Sequence, residues 1–156
     1  MAKGYKRRYY KGSRDKYSVE QQAGSLEIPA SSQAYATVVP DSAIQGMRKV
    51  KHLTVSLAAD DSATGAGSPY SYWCLVYVPQ GTTPNTMNLT GTTGMYEPNQ
   101  FVMNCGVVDF SAGPVRIRSP VSRNLNSGDK IVLIMSNPVS GVRTFNYVVR
   151  YAITLQ

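Results

Sequence analysis

Beyond Gln22 the chain alternates apolar and polar residues with a period of two, the pattern of strands with one buried face. The spacing predicts a first strand within Gln33–Val39, where Tyr35, Thr37 and Val39 alternate with smaller residues until Pro40 stops the run. Met47–Ala58 predicts a second, with Leu53, Val55 and Leu57 on one face and His52, Thr54 and Ser56 on the other. Tyr70–Pro79 is apolar on both faces: Tyr72, Cys74, Val76 and Val78 share one, Trp73, Leu75 and Tyr77 the other. Such a strand is central in a sandwich or lends one face to a subunit contact. Phe101–Val108 is another strand, and Val115–Ser119 sets Val115 and Ile117 inward with Arg116 and Arg118 outward. The turn chemistry of Asn126-Ser127-Gly128-Asp129 leads into the apolar run Lys130–Ser136. Thr144–Leu155 closes the series, with Tyr147, Val149, Tyr151 and Ile153 on one face and Arg150 and Thr154 on the other.

No segment shows helical periodicity, and no internal repeat or heptad is present. Seven or eight strands in a chain of 156 residues predict one all-β domain, a sandwich or barrel. Asp60–Pro69 is a loop by composition. The Gly/Thr/Asn/Pro-rich stretch Gln80–Pro98 exceeds the usual connection length, which marks it as functional or partly structured.

Charge changes this picture at one end only. Lys3, Lys6, Arg7, Arg8, Lys11, Arg14 and Lys16 face a single acid, Asp15, so the first sixteen residues carry +6. The rest holds nine basic and eight acidic residues, a net of +1. Residues 1–22 therefore read as a disordered basic arm ahead of a nearly neutral body, 23–156. Tyr5, Tyr9, Tyr10 and Tyr17 interleave with the cations, a mixture that suits single-stranded nucleic acid: cations track phosphates and rings offer stacking faces. The run KRRYYK (Lys6–Lys11) would also serve as a nuclear-import address. No apolar run approaches the length of about 18 residues that spans a bilayer, so no membrane insertion and a soluble intracellular product are expected. Cys74 and Cys105 are too few for a disulfide framework and read as buried, reduced thiols.

Candidate chemistry is sparse. The one histidine, His52, sits on a strand between Lys51 and Leu53, without the partners of a nucleophilic triad. Two cysteines and one histidine cannot close a zinc shell without carboxylates, and the only adjacent acids, Asp60-Asp61, begin a loop. Gly65-Ala66-Gly67 precedes Ser-Pro, not the helix a phosphate loop requires. Asn88-Leu89-Thr90 matches the glycosylation sequon, read as chance in a chain with no secretory signal. Neither an enzyme, a metal nor a cofactor is expected; the residues argue for binding or structure.

Three segments carry more than composition: Leu75–Asn88 (LVYVPQGTTPNTMN), Met95–Asp109 (MYEPNQFVMNCGVVD) and Pro114–Asn137 (PVRIRSPVSRNLNSGDKIVLIMSN). In this order they resemble capsid proteins of small circular single-stranded DNA viruses, the circovirus- and nanovirus-like group that encodes a rolling-circle replication initiator. YEPNQ and RNLNSGD are the most distinctive pieces. The chain departs from the circovirus pattern in its shorter length and less arginine-dense arm, and its size is nearer the nanovirus kind. The resemblance implies a single eight-stranded antiparallel jelly roll. It implies self-assembly into a T=1 icosahedral shell of 60 copies around circular single-stranded DNA. It also implies localisation in the virion, passage through the host nucleus, and nuclear-import and cell-surface receptors as partners. On that footing the seven arm cations contact nucleic acid, and Arg48, Lys49 and Lys51 extend the same surface if the start of their strand faces the lumen. Trp73, Tyr77 and Tyr96 are candidate aromatic anchors between subunits, with packing inside the chain the competing role. Two alternatives stay open: a single-stranded nucleic-acid-binding β-barrel that is no capsid, and the coat protein of a small RNA virus.

Overall fold

The computed structural model describes residues 17–60, 70–84 and 101–155. Nine strands follow in order: β1 (Ser18–Ile28), β2 (Ser32–Val39), β3 (Arg48–Asp60), β4 (Tyr70–Val78), β5 (Val102–Asp109), β6 (Val115–Arg118), β7 (Arg123–Leu125), β8 (Lys130–Asn137) and β9 (Arg143–Leu155). They form two antiparallel sheets, β1-β9-β3-β6 with β7 also on β3, and β2-β8-β4-β5. The pairs are nested: β4 with β5, β3 with β6 and β7, β2 with β8, β1 with β9. That is one long hairpin rolled up into two layers, the jelly roll. β6 and β7 lie end to end along one edge of β3, against Thr54–Leu57 and Arg48–Val50, and so fill one strand position. Nine segments thus make the expected eight-stranded sandwich.

The core is where the inward faces meet. Leu26, Ile28, Leu53, Val55, Leu57, Phe145 and Val149 of the first sheet pack with Val38, Trp73, Leu75, Ile131, Leu133 and Met135 of the second. A smaller cluster, Cys74, Val76, Val78, Val132 and Ile134, is buried on the second sheet's outer face. This is why β4 and β8 read as continuous apolar runs: both of their faces are covered.

Three expectations are corrected. The arm is shorter than 1–22, because β1 begins at Ser18 and pairs with β9 from Ser18–Ile153 to Ile28–Arg143. β1 hides from pattern recognition because it is an edge strand with mostly exposed residues, and because Gly24 sits under the Tyr147 ring, where any Cβ would collide with it. The second correction concerns β3, which is not one regular alternation. Lys51 pairs with Ala152 and Thr54 with Arg150, so an extra residue is inserted between them, and His52 takes φ 56° to accommodate it. Third, Cys105 is exposed and only Cys74 is buried.

One carboxylate ties an end of the sandwich together. Asp129 Oδ2 accepts from the Tyr77 hydroxyl at 2.7 Å and the Asn126 N–H at 2.8 Å, and Oδ1 from the Gln80 N–H at 3.0 Å. Its own carbonyl accepts from Arg48 Nη2 at 3.1 Å. Burial pushes the carboxyl pKa up, but the hydrogen bonds outweigh burial and hold it below the ordinary value. The charged form therefore stabilises the fold above the unfolded value of about 3.9, and this contribution is lost as pH falls through the lower folded value. Asp129→Asn should cost about 1–3 kcal/mol near neutrality. Denaturant titrations from pH 6 to pH 3 should show the gap between wild type and variant closing on acidification; a constant gap would contradict this role.

Candidate nucleic-acid interface

Residues directly opposite in an antiparallel pair share a sheet face, so register alone assembles a surface. On the outer face of the first sheet, Gln21 stands opposite Arg150, Arg150 opposite Thr54, and Thr54 opposite Arg118. The next row is Ala23, Val148, Ser56 and Arg116. Beyond the bulge come Val19, Ala152 and Lys51, then Thr154, Lys49 and Asn124. Five cations from three strands, β3, β6 and β9, thus occupy one face. Arg116, Arg118 and Arg150 are exposed, while Lys49 and Lys51 are half-buried along their stems.

The bulge makes this possible. Arg48 and Val50 point inward before it, and Leu53, Val55 and Leu57 point inward after it. The inserted residue switches parity, so Lys49 and Lys51 keep the same outward side as Thr54 and Ser56. A regular strand would have driven one of these sets into the core.

The three arginines rim an open hollow of about 400 Å³, floored by Gln21, Thr54, Ser56 and Val148. Guanidinium forks beside hydroxyls and an amide suit phosphate oxygens. The acids on this face of the strands, Glu27 and Asp60, stand opposite Thr144, six residues from Arg150 along β9 and so about 20 Å away. At physiological salt that lies beyond about two screening lengths. The face offers apolar Val19 and Val148 but no aromatic side chain of its own strands, so its chemistry suits anionic oxygens and gives bases no ring to stack on.

Tyr17, directly before β1, holds its ring 4.6 Å from Lys51 Nζ. Lys3, Lys6, Arg7, Arg8, Lys11, Arg14 and Lys16 lie outside the described residues, as does Tyr96.

Of the predicted body residues, Lys49 and Lys51 belong to the face and Arg48 does not. Arg48 is 7% exposed and donates from Nη1 and Nη2 to the Pro40 carbonyl at 3.2 Å, in addition to its bond to Asp129. Its parity matches Val50, so it braces the β2–β3 connection from inside. Trp73 and Tyr77 are both core members, packed inside the chain. Trp73 packs over Gly106, where a Cβ would come within 3.3 Å of the indole, and Tyr77 lies against Phe101 with Arg123 above its ring. Arg116, Arg118 and Arg150 were the residues missed. Their outward parity is readable, but only the β9–β3–β6 register brings residues this far apart in the chain into one row.

No protein-family model matches the chain, and no characterised protein matches it by sequence. Among solved structures, a Bacillus endospore appendage of the disulfide-linked pilus type aligns at 14% identity and TM-score 0.37, over 90% of this chain and 92% of that one. A desmodium yellow mottle tymovirus chain aligns at 10% identity and TM-score 0.26, over 93% of each. Likeness at this level carries no argument about what the chain binds or builds.

Replacing Arg116, Arg118 and Arg150 together with Gln should weaken binding to single-stranded oligonucleotides of any sequence. The slope of log K against log salt should flatten by about 2, as three phosphate contacts at about 0.7 each are lost. An unchanged slope would exclude this face from binding.

Proposed function

We propose that the chain is a viral coat protein that assembles into a T=1 shell and packages circular single-stranded DNA, with no enzymatic role. The observation that carries this reading is the basic outer face of the first sheet, which a basic stretch precedes in the sequence. The arm's +6 runs into β1 at the edge of the sheet whose outer face carries Lys49, Lys51, Arg116, Arg118 and Arg150. A jelly roll with one such basic face has a polarity, and a closed shell would put that side toward its nucleic acid. The resemblance of Leu75–Asn88, Met95–Asp109 and Pro114–Asn137 to coat proteins of small circular DNA viruses supports the same reading. Sixty arms at +6 amount to about 360 positive charges, a density that neutralises packaged phosphates by counterion release without reading sequence. Assembly in the host nucleus, import through the KRRYYK stretch, and a cell-surface receptor belong to the same proposal. Phosphate contacts do not distinguish DNA from RNA, so packaging of an RNA genome is tested by the same experiment.

A second reading has an observation in its favour. The basic sheet face needs no shell to hold a strand, so an unassembled single-stranded nucleic-acid binder would use the same residues.

Purification of the full chain with its co-expressed nucleic acid separates the two. The coat reading predicts particles roughly 20 nm across that protect single-stranded DNA from nuclease and release it at high salt. A protein that stays monomeric or dimeric while binding would favour the second reading and sink the first. Deleting residues 2–16 should leave particles that package much less nucleic acid; unchanged packaging would remove the arm from the account.

A further inference from the structure

Cys74 and Cys105 occupy one register position on β4 and β5, side chains on the same outer face of the second sheet. Two hydrogen bonds define the kind of position. The Tyr72 N–H donates to Ser136 Oγ on the β8 side of β4, and the Tyr77 N–H donates to the Phe101 carbonyl on the β5 side. β4 is regular against β8 from Trp73 to Val78, and backbone groups along a regular strand alternate between its two neighbours. The N–H and C=O of Cys74 therefore face β8, and Cys74–Cys105 is a non-hydrogen-bonded pair. The Cys105 N–H accordingly donates to Asn104 Oδ1 at 3.0 Å. At such positions Cα atoms lie about 4.5 Å apart and side chains approach most closely. Disulfides span Cα separations of about 4.4–6.8 Å, so this pair needs no backbone rearrangement to be bridged.

The two thiols differ in access. Cys105 is exposed, and Cys74 is buried against Val76, Val132 and Ile134. Burial first, and then the neighbouring Cys105, push the Cys74 thiol up to about 12.

We propose that Cys74 and Cys105 form a dithiol site that closes to an intrachain disulfide on meeting a small-molecule disulfide. The Cys105 thiolate attacks one sulfur of the reagent; a Cys105–reagent mixed disulfide forms, and one reagent thiolate leaves and takes up the proton Cys105 lost. Cys74, deprotonated, then attacks Cys105 Sγ. The bond from Cys105 to the reagent breaks, and the second reagent thiolate leaves with the proton from Cys74. Two protein thiols are oxidised and one reagent disulfide is reduced to two thiols, so electrons and protons balance. The order follows from access, because only Cys105 can meet the reagent and only Cys74 is placed to resolve it. The product ties edge strand β5 to β4 and closes residues 74–105 into a covalent loop.

The test treats the full chain, in the assembly it forms, with glutathione disulfide, then caps free thiols with N-ethylmaleimide and reads intact mass. The expected wild-type product is two hydrogen atoms lighter than the reduced chain, carries neither glutathione nor maleimide, and runs as a monomer on a denaturing non-reducing gel. Closure should speed up about tenfold per pH unit, since the resolving thiol stays protonated across the accessible range. Cys74→Ala should accumulate a single glutathione adduct at Cys105, and Cys105→Ala should take up none. The wild-type product decides whether or not the variants fold. A persistent Cys105 adduct beside a free Cys74, an interchain dimer, or unreacted thiols would each overturn the proposal.

Discussion

The first sheet depends on β9. It pairs with β1 along one edge and β3 along the other, and both partners lie far away in the chain. Few local contacts support this arrangement before it closes, so closing it must repay a large loop entropy. The repayment comes from the inward side, where Phe145 and Val149 are fully buried and Tyr151 nearly so. The same strand presents Arg150 outward, between Gln21 and Thr54. Core and basic surface are two faces of one register, and a slip by one residue would exchange them.

The bulge at His52 is the second constraint. A histidine at φ 56° is backbone strain of the order of 1–3 kcal/mol, retained because the flanking pairs on both sides fix it. What it achieves is parity, with Val50 and Leu53 both inward and Lys51 and Thr54 both outward. Gathering five cations on one face raises their mutual repulsion, a cost that a polyanion laid across them removes.

Much of this fold was legible, for physical reasons that also explain the failures. β3, β4, β8 and β9 announce themselves because burial forces their patterns. β1 and β7 escaped, the first as a polar edge with Gly24 at its middle, the second as three residues inside a stretch rich in turn chemistry. Charge read by proximity put Arg48 with Lys49 and Lys51, whereas alternation sends it to the opposite side of the sheet, against the Pro40 and Asp129 carbonyls. Trp73 and Tyr77 were ambiguous because β4 is apolar on both faces, and a linear pattern does not say which face meets the core. Arg116, Arg118 and Arg150 become a site only through pairing partners, which is three-dimensional information.

The central claim is that the outer face of the first sheet is the side turned toward nucleic acid in an assembled particle. Arginine modification by phenylglyoxal, mapped by peptide mass on intact and on salt-disrupted particles, tests it most directly. Arg116, Arg118 and Arg150 should be protected in intact particles and react on disruption. Equal reactivity of the three arginines in intact and disrupted particles would contradict the account.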